Sequence, residues 1–180
     1  MKSLILAFAA YLVLGLSSCS TMSVSNDYDS NVDFTALKTW SWYPEAEGSD
    51  ANGVVSLTAS RIRGALESDL AARGYPRVER DGQFLVAFHT VMRQKIEANS
   101  APYGYGWRRG YMGVADAPDI MTYDEGSLLV DFIDPKSKSM IWRGTATSVV
   151  DPGSSAEERE GLIKEAVARI LAQFPPAQKQ

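Results

Sequence analysis

The sequence predicts an α+β fold: two layers, with a mainly antiparallel sheet of about four to five strands and two helices packed on one face. Three observations carry this expectation. Two stretches, starting near Leu57 and near Leu162, repeat apolar residues at helical spacing. Four others, around residues 37–43, 83–93, 123–133 and 140–147, alternate or run apolar over strand lengths. Residues 134–138 carry turn chemistry that joins the last two strands as a hairpin. Helices with one apolar stripe and strands with one apolar face bury them against each other, which gives two layers.

In chain order, Trp40 and Trp42 share one face of the first expected strand, with Thr39, Ser41 and Tyr43 on the other. An acidic loop containing Gly, Ser and Asn follows over residues 44–53. Ser56 is a suitable N-cap for a helix over 57–73, whose stripe is Leu57, Ile62, Leu66 and Leu70 with Ala65 beside it. Arg61, Arg63, Glu67 and Asp69 take its wet side, and Gly74 suits the position just past its end. A short extra strand is allowed near residues 77–79.

Residues 83–93 are apolar on both alternations, the pattern of a strand covered on both faces at least in part. From Glu97 to Pro118 the pattern dissolves into Ala, Pro, Gly and Tyr, which reads as a long loop. Leu128, Val130 and Phe132 then face one way, and Ser127, Leu129, Asp131 and Ile133 the other. Asp134 bonds forward to the backbone and Pro135 pre-sets φ, so residues 140–147 return antiparallel. Ser154 and Glu157 fit a capping box for a final helix. Its stripe is Leu162, Ile163, Ala166, Val167, Ile170, Leu171 and Phe174, and Pro175-Pro176 stops it.

The N-terminus has a different character. Lys2 precedes an uncharged apolar run over residues 4–16, shorter than the roughly 20 residues that cross a bilayer as a helix. That is the pattern of a secretory signal. The run closes on Leu16-Ser17-Ser18-Cys19, which resembles the bacterial lipobox. The resemblance implies a diacylglyceryl thioether on Cys19, cleavage before it, and usually a third acyl chain on the freed amine. One chain holds a protein only marginally at a membrane, about 10⁴ M⁻¹, so two or three are needed for stable residence. Ser20 stands where an aspartate would resemble an inner-membrane retention signal, which by analogy favours the outer membrane, facing the periplasm.

The expected layout is thus a signal peptide over 1–18, a lipidated tether over 19–26, one α+β domain over 27–176 and a tail over 177–180. Cleavage leaves 162 of the 180 residues, ample for one domain with a sizeable core. It also leaves 17 basic against 22 acidic residues, a formal charge of −5. That acidic balance argues against a nucleic-acid partner. With Cys19 acylated, no thiol remains for a disulfide or a zinc-thiolate site.

A second resemblance covers nearly the whole mature chain. Asp27-Tyr28-Asp29, Asp33-Phe34, Lys38-Thr39-Trp40-Ser41-Trp42, Tyr123, Glu125-Gly126-Ser127-Leu128, Asp131, Asp134-Pro135-Lys136 and Trp142-Arg143-Gly144 together resemble the bacterial envelope lipoproteins grouped as domain of unknown function 4136. This implies a lipoprotein with an α+β fold. It implies no activity and no catalytic residue.

Several residues are candidate sites. Asp27, Asp29, Asn31 and Asp33 alternate like the start of a calcium loop, but Val32 and Lys38 occupy the positions that need Gly and Glu. These short acids are expected to cap turns instead. His89, the only histidine, sits in an apolar strand with no Gly-x-Ser-x-Gly elbow to serve. Asp116, Asp119, Asp124 and Glu125 have no metal-ligand spacing. Asp131 and Asp134, offset by three, fall on opposite faces of a strand, unlike two carboxylates flanking one bond. No cofactor or metal is expected.

The most partner-like stretch is the aromatic and glycine run holding Tyr103, Tyr105, Trp107, Arg108, Arg109 and Tyr111. Flat rings with arginines suit a protein partner or cell-wall glycan. The resulting expectation is a lipid-anchored, non-enzymatic binding or scaffolding domain. The alternative is a carboxylate-dependent hydrolase acting on envelope glycan.

Overall fold

In the computed structural model, the described residues are 22–44, 55–99 and 119–176, without the side chains of 97–99 and 119–121. Five strands form one sheet: β1 (Ser23–Tyr28), β2 (Trp40–Trp42), β3 (Phe84–Asn99), β4 (Asp119–Ile133) and β5 (Met140–Val150). Two helices, α1 (Leu57–Ala72) and α2 (Ala156–Leu171), and a 3₁₀ turn over Phe34–Ala36 complete them. The strand order is β1-β5-β4-β3-β2. All neighbours are antiparallel except β2, which runs parallel to β3. The fold is therefore the α+β class expected, with a mixed but mostly antiparallel sheet.

The helices lie together on one face. Ile62, Leu66 and Leu70 of α1 and Ala166, Val167, Ile170 and Leu171 of α2 pack with Phe84, Val86, Phe88, Val130, Phe132 and Trp142 from the sheet. Phe174, expected as the last residue of the helical stripe, comes after α2 has ended. Its ring instead closes one end of the core against Phe34, Tyr75, Phe84, Phe132 and Trp142. Such offset and edge-on ring pairs contribute about 0.5–1.5 kcal/mol each beyond area burial.

Local chemistry sets the element ends. Ser56 Oγ accepts from the Ala59 amide to start α1. Gly74, at φ +86°, stops it: its amide bonds to Ala71 O and that of Tyr75 to Leu70 O, the paired bonds of a Schellman cap. The capping box of α2 is real but one residue later than expected, using Ser155 and Glu158. The Asp151 turn explains the shift, because Asp151 O already accepts from the Ser154 amide and holds that residue in the loop. Asp29 and Asp33 cap turns as expected, accepting from the amides of Asn31 and Thr35. Asp33 is held ionised below the ordinary carboxylate range, chiefly by the Thr35 hydroxyl and then its amide.

Four expectations are corrected. The tether expected over 19–26 is, from Ser23 onward, an edge strand, with Ser23 opposite Thr147 and Tyr28 opposite Trp142. Its signal was faint, since only Val24 and Tyr28 are half-buried along it. The strands flanking the expected loop are longer than periodicity showed: β3 runs to Asn99 and β4 starts at Asp119, and these two residues pair. Leu57, counted in the core stripe, is 75% exposed. The extra strand near 77–79 reduces to one bridge between Trp40 and Arg77.

Candidate functional site

On the helix side of the sheet, β3 and β4 run on past the point where the helices begin. Both helices start at this end, α1 after its N-cap Ser56 and α2 after its N-cap Ser155, and their N-terminal halves flank the strands on either side. The result is an open groove of about 560 Å³, within the ~300–1,000 Å³ usual for small-molecule sites. Its floor is Thr90 and Met92 of β3, Gly126 and Leu128 of β4, and Ala146, Ser148 and Val150 of β5. These positions share one face by strand parity and register.

Thr58 and Ile62 form one wall, and Leu162, Ile163 and Ala166 the other. Met22 closes the β1 side. The residues are mostly apolar or small, and Gly126 and Ala146 keep the floor low. Met92 is itself exposed, and beyond the groove Ile96 stands exposed on the same face of β3; Leu57 is exposed at the start of α1. Arg159 and Asp151 are the charged residues at the rim. The groove can hold an apolar ligand and has no converging acid and base.

The opposite face of the sheet carries a charged cluster. Asp131 is 2% exposed, and Arg143, directly across from it in the register, donates from Nε and Nη2 to its two oxygens at 2.6 Å each. His89 Nε2 lies 3.7 Å from Asp131 Oδ2. The hydrogen bonds to Asp131 push the Arg143 guanidinium above its ordinary range. With both oxygens engaged by one guanidinium, Asp131 serves the sheet as a structural partner. Asp134 is occupied elsewhere, its Oδ1 accepting from the amides of Lys136 and Ser137 at 2.9 and 2.6 Å.

His89 is a half-exposed strand residue beside this pair. Glu125 is bound to Lys95 at 2.6 Å. Among the described residues, no group of three or more His, Cys, Asp or Glu converges to hold a metal. Asp116 lies outside the described residues, and so does the side chain of Asp119.

Cys19 and the aromatic run of Tyr103, Tyr105, Trp107, Arg108, Arg109 and Tyr111 also lie outside the described residues. What the fold supplies is the position of their flanks. The stretch 100–118 joins the paired ends Asn99 and Asp119, about 20–25 Å along the ribbon from Met92 at ~3.3 Å per residue. The groove itself escaped sequence reasoning. Its available signal was the run of small residues, Gly126, Ala146 and Ser148, on strand faces that should otherwise bury bulk.

The fold and groove define a two-layer α+β domain with an open, mostly apolar groove. The sequence profile described as Domain of unknown function (DUF4136) matches residues 24–176, and the chain belongs to that family. No curated protein matches it. The fold is similar to that of a PDZ domain protein from Parabacteroides distasonis, at 14% identity and a TM-score of 0.57. That match covers 94% of this chain, which spans 40% of the other. The PelC dodecamer from Paraburkholderia phytofirmans matches at 11–12% identity and a TM-score of 0.49, covering 88–89% of this chain and 99–100% of the other.

Proposed function

We propose that the chain is a lipid-anchored protein of the bacterial cell envelope, held at the outer membrane facing the periplasm, whose domain binds another envelope component without catalysing a reaction. The observation that carries this reading is the place of Met22. It is the first described residue, three positions after the lipobox cysteine, and its side chain lines the apolar groove. The lipobox resemblance and the binding surface therefore meet at one end of the domain.

The hydrolase reading has less support. Asp131 is the only buried carboxylate among the described residues, and Arg143 occupies both of its oxygens. Asp134, its imagined partner, serves a turn. In this reading the aromatic stretch 103–111, which falls in sequence between the paired residues Asn99 and Asp119, is a second contact for a protein or glycan partner.

The test is paired. Cys19→Ser should move the protein from the membrane to the soluble fraction and abolish acyl labelling; unchanged fractionation would overturn the anchor. Deleting 103–111 should remove crosslinked envelope partners while leaving the melting temperature within a few degrees. Retained partners would overturn that part of the reading.

A further inference from the structure

We propose that the groove holds one acyl chain of the lipid carried by Cys19 of the same molecule, so that the chain docks the domain against its own membrane. This rests on the lipid-anchored reading above and deepens it by naming the groove's occupant.

The argument begins with where the chain enters the fold. Met22 is 7% exposed, and its carbonyl accepts from Arg169 Nη1 of α2 at 3.2 Å. Ser23 pairs with Thr147, next to groove-lining Ser148. The chain upstream of β1 therefore departs from the groove wall, at a fixed point. Three residues extend at most about 10 Å, so a group on Cys19 is tethered within reach of the mouth.

The chemistry of the groove fits a methylene chain. Its floor and walls are Leu128, Ala146, Val150, Ile62, Leu162 and Ile163, and the apolar surface continues outward onto Met92 and Ile96. Moving a chain from bilayer to groove exchanges one apolar setting for another and is nearly neutral in itself. The gain comes from the groove, whose apolar lining leaves water. Tethering favours this occupant over untethered ones, because a short linker converts binding to an intramolecular step at effective concentrations in the millimolar range. Of three chains, one in the groove leaves two in the bilayer, enough for stable residence.

The experiment uses the full-length protein in its own membrane. Cells are fed a photoreactive diazirine fatty acid, irradiated, and the purified protein is digested. The mass of the N-terminal peptide reads acylation, and crosslinked peptides locate the chain. The expected result is a crosslink from the Cys19 peptide to peptides holding Leu128, Ala146 or Leu162. Ser148→Trp, which fills the floor, should lower that crosslink at least about tenfold with acylation and melting temperature retained. If this variant folds poorly, Thr90→Phe fills the same floor from β3.

Acylated Cys19 with crosslinks confined to phospholipid would overturn the inference and leave the anchor standing. Groove crosslinks from a fatty acid borne on phospholipid, or to a second polypeptide, would overturn it by giving the groove to another occupant. A Cys19 peptide without acyl mass would overturn both the inference and the reading beneath it.

Discussion

Arg143 grips Asp131 across the β4–β5 pair, two nitrogens on two oxygens at 2.6 Å each, on the sheet face away from the helices. The pair explains how a carboxylate comes to be buried in the central strand. Its geometry is the planar fork that guanidinium and carboxylate share, and lysine does not reproduce it.

Removing Arg143 should therefore be costly. Arg143→Met leaves the Asp131 charge buried, and we expect a loss of about 3 kcal/mol in urea unfolding, the low end for a broken buried pair because Arg143 is partly exposed. The double variant Asp131→Leu with Arg143→Met should recover most of it. A single-variant loss below about 1 kcal/mol would place the pair with ordinary surface bridges.

Gly144 and Gly82 are positions where a side chain does not fit. A Cβ on Gly144 would overlap Ile170 and the Trp142 ring, and one on Gly82 would overlap the backbone of Trp40 and Ser41. Gly144→Val should cost about 1–3 kcal/mol by overpacking. Gly82→Ala should cost at least as much, because backbone yields less readily than side chains. Chemical denaturation of both variants ranks them, and a neutral Gly144→Val would contradict the close packing of α2 on β5.

The hairpin turn makes stability sensitive to acid. Asp134 is held below its ordinary value, first by the Ser137 amide and then by the Ser137 hydroxyl. A depressed carboxylate stabilises the fold above its unfolded value, about 3.9. That contribution disappears as pH falls through the lower, folded value. Asp134→Ala should thus lower the melting temperature by a few degrees at pH 7. The gap to the parent protein should close in acid below that unfolded value. A gap independent of pH would mean that the turn does not depend on the ionised carboxylate.

The cap of α2 offers a cleaner local test. Ser155 Oγ accepts from the Glu158 amide at 3.2 Å, and Glu158 Oε2 accepts from the Ser155 amide at 2.7 Å. Ser155→Ala should cost about 1 kcal/mol. Ser154→Ala, at the position the sequence suggested, should cost little; the reverse ranking would move the cap.

Much of the fold was legible because its signals are local. The stripe Ile62, Leu66, Leu70, the N-cap Ser56, the Gly74 stop and the Asp134 turn each act over a few residues, and the structure uses each as its chemistry dictates. The wet side of α1 was only half right. Arg63 lies over the Trp42 ring at 4.6 Å and Glu67 accepts from Trp42 Nε1 at 2.9 Å, so both cover the β2 edge. Sequence spacing places a residue off the core stripe without saying which neighbour it meets.

By itself, then, the sequence determined both helices and four of the five strands, the two-layer α+β class, the resemblance to DUF4136 and the lipobox resemblance at Cys19. Tertiary structure decided that Ser23–Tyr28 is a strand, because its partner in β5 lies more than a hundred residues away and its own residues are mostly polar. It also decided the groove, which exists because β3 and β4 outrun helices that begin after Ser56 and Ser155. Such a mismatch of lengths belongs to the layers together. No single segment encodes it, and it brings Met22 to the apolar surface three residues from Cys19.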